Sequence, residues 1–292
     1  MCDLYVNFPS YPNINENVER WKHDEKILEE ECHAFNGQYE CAEKISNEII
    51  RKLGKKSFSI VSDYDCGTFK QVLVKVNIVN DVFAFKLCWG NFFGLNKENK
   101  RVNIEIYVNI ANLTEEKIVV LKNKISEVIS HEIMHGYITM NKLLNSGEFD
   151  DISDFYGKIV NIMNTSDTPE IVGLTRSFYL CYYQEAQAMV SQAWKECENK
   201  IKKWQYDLTL DNFKFVLFGN SIYKDYSKAL RFCKKLSTSP ETISVIFDDL
   251  TQFGIVIPKE RRKRILAQLC NKLEKTLRLI MKSCWCYFNK MQ

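Results

Sequence analysis

Between Phe58 and Ile110 apolar residues recur at every second position, and on either side of that stretch they recur at every third or fourth. This change of period requires a small sheet set within a mainly helical framework, because each period fixes which residues can share a buried face. Phe58 and Ile60 mark a first strand. Val72, Val74, Val76 and Ile78 mark a second, and Asn80-Asp81 reads as a tight turn into a third from Val82 to Trp89. The alternation is cleanest from Val102 to Ile110, where Ile104, Ile106, Val108 and Ile110 interleave with Asn103, Glu105, Tyr107 and Asn109. That predicts a sheet with one buried face.

The helical signals surround it. Residues 15–34 are charged and helix-compatible, and a clearer helix runs from Tyr39 to Leu53, with Ala42, Ile45, Ile49, Ile50 and Leu53 on one side and Gly54 as its stop. After the fourth strand, Thr114 is suited to cap a helix whose first turn carries Glu115 and Glu116. Ile118, Leu121, Ile125, Val128 and Glu132 form its stripe. Further helices are predicted from Phe178 to Trp204 and from Lys259 to Tyr287, the last with Ile265, Leu269, Leu273, Leu277 and Ile280 on one face. No internal repeat and no Ser/Gly/Pro linker interrupts the chain. The expectation is an α+β protein with an N-terminal helical segment (1–56), a core with a small antiparallel or mixed sheet (57–204) and a helical C-terminal extension packed on it (205–292).

Composition narrows the function classes. With 46% apolar residues and only 11 Gly and 5 Pro in 292, neither disorder nor a low-complexity scaffold is available. The net charge of +3, from 40 basic and 37 acidic residues, makes nucleic acid an unlikely partner of the chain as a whole. A local patch would have to come from Lys259-Glu260-Arg261-Arg262-Lys263-Arg264, which reads first as the solvated start of a helix although its charge opposes the helix dipole. No apolar run approaches the ~18–20 residues that cross a bilayer, and Met1-Cys2-Asp3-Leu4-Tyr5 does not begin an export signal. Eleven cysteines, an odd number without any CxxC pair, are expected to be reduced, mostly buried thiols in the cytoplasm.

One helix stripe leads into Ser130-His131-Glu132-Ile133-Met134-His135-Gly136. A spacing of four puts the His131 and His135 rings on one helix face, where they can share a metal ion. Glu132 is rotated about a third of a turn away, beside such an ion, where a carboxylate can hold and deprotonate water. Catalytic zinc takes three protein ligands and leaves a position for water. The metzincin continuation is excluded, since Ile138 and Asn141 stand where it needs Gly and His. The third ligand is then a downstream carboxylate. Glu185 is the best placed, with the small Ala186 and Ala188 allowing its helix to approach the first. Glu148, Asp150, Asp151 and Asp154 compete with it. No P-loop and no G-x-S-x-G elbow is present.

A sheet whose last strand precedes an HExxH helix, followed by a Glu on a later helix, resembles the gluzincin branch of the zincin metallopeptidases. The resemblance covers Phe58 to Trp204, and its Glu185-to-Ala188 E-x-x-A pattern is similar to that of several bacterial and phage zincin-like proteins. It departs where gluzincins often carry an Asp four residues after the ligand Glu, because that position is Met189.

The resemblance implies a zincin-like fold, a Zn2+ cofactor held by His131, His135 and Glu185, and hydrolysis of a peptide or protein substrate with Glu132 as general base. It also implies a donor to the oxyanion, for which Tyr183 and Tyr182 are the first candidates and Tyr137 the next. The strand Val102–Ile110 is expected to offer an edge on which an extended peptide is laid. The alternative is a catalytically silent zincin-fold protein that binds a partner protein, through its C-terminal helices, or nucleic acid.

Overall fold

A computed structural model describes residues 25–64, 69–84, 86–96, 99–146, 153–204 and 209–290. Only the backbone is described for 25–36, 140–146, 153–154, 183–184, 204, 287 and 289–290. Helix α1 (Glu25–Arg51) leads into strands β1 (Ser57–Asp63), β2 (Gln71–Val79), β3 (Cys88–Asn96) and β4 (Arg101–Asn109). They form one mixed sheet in the order β1-β2-β4-β3. β1 is antiparallel to β2, β2 is parallel to β4 with Val74 opposite Ile104, and β3 is antiparallel to β4 with Phe92 opposite Ile104.

Two expectations are corrected here. The third strand lies at 88–96 rather than 82–89, and Val82 and Phe83 are exposed in the connection before it. The Val102–Ile110 strand is not an edge, because β4 lies between β2 and β3. The reason is compositional. β2 and β4 carry the unbroken β-branched alternation that suits a central strand, whereas β3 contains Gly90 and Gly94 and a register shift between Phe92 and Gly94. Asn80-Asp81 therefore starts a crossing over the end of β4 rather than a hairpin. The buried Asn109 side chain fixes that crossing, donating to the Asp81 carbonyl at 2.8 Å and accepting from the Asp81 N–H at 3.1 Å.

One sheet face is dry. Val72, Val74 and Val76 of β2 and Val102, Ile104, Ile106 and Val108 of β4 are buried against Ala42, Ile45 and Ile49 of α1. They also meet Leu121, Ile125, Ile129 and Ile133 of helix α2 (Glu115–Ser146). Each such Val or Ile removed from water contributes about 1.5–3 kcal/mol before chain entropy is charged against it. The opposite face is polar and half-exposed. There Glu105 accepts from Lys75 and Asn77, and Trp89 stacks on Tyr107 at 5.4 Å.

The rest of the described chain is helical: α3 (Ser153–Thr165), α4 (Pro169–Cys181), α5 (Tyr183–Trp204), α6 (Leu210–Gly219), α7 (Ser221–Ser237), α8 (Pro240–Asp249), a 3-10 turn (Leu250–Phe253) and α9 (Lys259–Lys290). The single helix expected over 178–204 is interrupted. Tyr182 turns extended (ψ 128°), its N–H closing back onto the Tyr179 carbonyl, and α5 starts anew. No Gly or Pro marks this break in the sequence.

These helices share a second apolar core, with Trp194, Cys197, Phe213, Tyr226, Phe247, Leu266, Leu273, Leu277 and Ile280 deep in it and Tyr39 of α1 reaching in. Ile265, expected on the same α9 stripe, is partly buried at its rim. The Cys284–Phe288 end packs there as expected, with Cys284, Trp285, Cys286 and Phe288 buried. In the basic run, Arg262 is buried instead of solvated. Its guanidinium donates to Asp248 at 2.6 Å and to the Ile257 and Ser244 carbonyls. The eight cysteines whose side chains are described are thiols, six of them buried. Burial pushes the Cys41 and Cys88 thiols up to about 11 and about 12. No helix among the described residues is long and apolar enough to cross a membrane.

The packing of α2 on the sheet is close at Gly136, immediately after His135. A β-carbon there would lie 2.6 and 2.7 Å from the two methyls of Val102, a fully buried side chain with a stiff rotamer. Gly136→Ala is expected to destabilise the protein by about 1–3 kcal/mol through overpacking. Val102→Ala, by removing those methyls, should offset part of that loss. Urea midpoints of the two single variants and the double variant measure the coupling; additive effects would show that the two positions do not meet.

Candidate metal centre

His131 and His135 project from the middle of α2, their rings 4.8 Å apart and near-perpendicular at 74°. Their Nε2 atoms face each other at 3.0 Å. Glu185 lies in the first turn of α5, which approaches α2 where the fully buried Ala188 packs on Met134 and Ile138. Ala186, also expected to ease that approach, is half-buried. The carboxylate places Oε1 3.4 Å from His135 Nε2 and Oε2 3.5 Å from His131 Nε2. All three residues are buried. The structure thus brings together the three positions that the sequence singled out.

These separations suit a shared ion, because ligands bound at ~2.0–2.1 Å in a tetrahedron stand roughly 3.3 Å from one another. Glu185 Oε2 is also buried without a hydrogen-bond partner among the described residues. Two imidazole nitrogens and a carboxylate oxygen turned toward one another in a dry pocket need positive charge between them. The titration of the groups reflects the same need. Burial would raise Glu185, but His131 and His135 outweigh it and hold the carboxyl down at about 2. Burial would lower His131, but Glu185 and Glu132 outweigh it and raise the ring. His135, buried and beside His131, falls to about 4. The buried His131, His135 and Glu185 group could hold a metal ion, and no other His/Cys/Asp/Glu cluster among the described residues could do so.

Glu132 lies beside this group, buried, between α2 and β3. The Phe92 backbone of β3 lies near its carboxylate and favours the charged form. Burial pushes the carboxyl up to about 7, with His131 opposing the rise and Glu185 adding to it. Its room depends on Gly90, where a β-carbon would lie 3.2 Å from Glu132 Cγ and 2.7 Å from Val128 Cγ1. Any larger residue at position 90 would push the helix off the strand.

Two tyrosines complete the surroundings. Tyr156 of α3 donates from its hydroxyl to Glu185 Oε1 at 2.7 Å, and the Tyr179 hydroxyl of α4 lies near enough to the same carboxylate to favour its charged form. Burial and the Glu185 charge raise both hydroxyl pKa values, so both remain donors. The Tyr156 ring lies 5.8 Å from Tyr179 and 5.0 Å from Tyr182, which locks the cluster. Met189, the position at which the gluzincin resemblance would place an Asp, is a buried packing residue.

The sequence reading did not find Tyr156 or Tyr179. Tyr156 lies 29 residues from Glu185 on a separate helix, and no spacing announces it. Of the tyrosines it did propose, Tyr182 packs on Tyr156 and Tyr137 is 39% exposed. The side chain of Tyr183 lies outside the described residues, as do Glu148, Asp150, Asp151 and the side chain of Asp154.

Tyr156→Phe keeps the ring stacking and removes the donor. Loss of such a partner of a metal ligand lowers metal affinity by roughly 10–100-fold. Competition against a chromophoric chelator measures it, and an unchanged affinity would show that Tyr156 does not orient Glu185.

No protein-family model, curated protein or solved structure matches this chain, so its chemistry is read from the geometry of these residues.

Proposed function

We propose that the protein is a zinc-dependent metallopeptidase of the zincin type, with His131, His135 and Glu185 as metal ligands and Glu132 as general base. The observation that carries this reading is the convergence of the two Nε2 atoms and the Glu185 carboxylate, with a second buried carboxyl alongside. A two-nitrogen, one-carboxylate donor set suits zinc and leaves a position for water, whereas a purely structural site has no use for Glu132. Zinc bound there supplies Lewis acidity, activating water and polarising a carbonyl.

The chain's own groups do the rest. Glu132, with the Phe92 backbone beside it, takes the proton that the attacking water loses and returns it to the leaving amine. Tyr156 holds the Glu185 carboxylate in one orientation, with Tyr179 beside it. β3, with Gly90 and Phe92 flanking Glu132, is an edge of the sheet on this side and offers its free backbone groups to an extended peptide. The mostly buried thiols support a reducing, cytoplasmic setting for this activity.

Elemental mass spectrometry of protein purified without a metal-binding tag tests the site. The expected result is about one zinc per chain in wild type, lost in His135→Ala and in Glu185→Ala. Zinc retained in Glu185→Ala would move the third ligand elsewhere, and no zinc in wild type after reconstitution would sink the proposal. Glu132→Gln should keep its zinc and lose cleavage of a peptide library; unchanged cleavage would exclude Glu132 as the base.

A further inference from the structure

The near-neutral chain hides a strong segregation of charge. Residues 221–292 contain 15 Lys and Arg against 6 Asp and Glu, while residues 1–220 contain 25 against 31. This C-terminal quarter is therefore at +9 and the remainder at −6.

Helix α7 concentrates this charge on one face. Its buried stripe is Ile222, Tyr223, Tyr226, Ala229, Leu230, Cys233 and Leu236, packed in the helical core. The opposite face presents Lys224, Lys228, Arg231 and Lys235 at spacings of four, three and four, with Lys234 beside them, and all five are exposed. None of the five is in an ion pair among the described residues. The one acid of the helix, Asp225, is taken by Arg176 of α4 at 2.8 Å. On α9, Lys259, Arg261, Lys263, Arg264, Lys272 and Lys275 are also exposed. α7 and α9 pack against each other in the helical core.

We propose that the α7 face, extended by α9, is a binding surface for the phosphate backbone of duplex nucleic acid. The stripe from Lys224 to Lys235 is about 16 Å long at ~1.5 Å per residue, a length over which a duplex presents on the order of ten phosphates. The alternatives fit less well. Among the described residues no large hydrophobic side chain is exposed on α7 or α9, so nothing there inserts into a lipid surface or anchors a protein interface. The absence of exposed aromatics on this face also leaves no platform for stacking unpaired bases. Uniform, unpaired charge in a rigid row matches a uniform, repeating polyanion. Binding of this kind carries no base specificity, and it is independent of the metal centre.

The test is fluorescence anisotropy with a labelled DNA duplex of about two helical turns, over a salt series. Wild type should bind with a log–log salt slope of about −4, as expected for four or five phosphates neutralised. Lys228→Glu/Arg231→Glu should weaken binding at least about tenfold and reduce the slope by about 2. Lys55→Glu/Lys56→Glu, two exposed lysines in the acidic part, should leave binding unchanged. The proposal is overturned if wild type does not bind at low salt, if the α7 variant binds as tightly as wild type, or if the Lys55/Lys56 variant loses as much. Competition by polyglutamate as effective, charge for charge, as unlabelled duplex would assign the face to an acidic protein instead.

Discussion

The separation between α2 and the sheet governs everything at the centre of this molecule. It is set by two glycines, Gly136 on the helix against Val102 and Gly90 on the strand against Val128 and Glu132. Neither position has room for a β-carbon. A helix seated this close brings the Glu132 side chain against Gly90 and the Phe92 backbone of β3. Interiors packed at crystal-like density transmit small displacements, so the histidine positions follow directly from this contact.

The junction with the helical half is made by polar groups that are buried but satisfied. Gln38 of α1 donates to the Ser130 carbonyl and to Ser191 Oγ, joining α1, α2 and α5 directly behind the histidines. Lys195, almost fully buried, pairs with Glu198 at 2.5 Å and Glu43 at 3.6 Å and lies over the Tyr39 ring. Glu196 accepts from the Ser221 N–H and hydroxyl and from Lys200, which fixes the start of α7 to α5. Buried charges contribute little net stability even when paired, but removing one partner is costly.

What the sequence made legible was whatever depends on short spacing. His131, Glu132 and His135 could be placed because four residues are one helical turn, and Glu185 because the small Ala188 signalled a close helix contact. The alternation of β2 and β4 was equally plain. The strand order was not, since the turn-like Asn80-Asp81 pair competes with a choice made by distant pairing, that of β2 for β4. The break at Tyr182 carries no Gly or Pro, and it is closed by tertiary packing of the tyrosine cluster. Tyr156 and Tyr179 were invisible for the same reason. Their function comes from where two separate helices deliver a hydroxyl, which no local pattern encodes. The buried Arg262 looked like part of a solvated run because sequence spacing does not reveal Asp248.

The break at Tyr182 has a thermodynamic consequence. Two of the donors belong to the helix seated on the sheet, while the third stands at the start of a helix that belongs to the other core. A ligand held by all three is a cross-link between two halves that otherwise associate through side-chain packing and the buried polar contacts of Gln38 and Lys195. Its binding free energy is added to their association, growing as RT ln(1 + [L]/Kd). Occupancy of the centre and cooperative unfolding of the two cores are therefore one linked equilibrium, and each reports on the other.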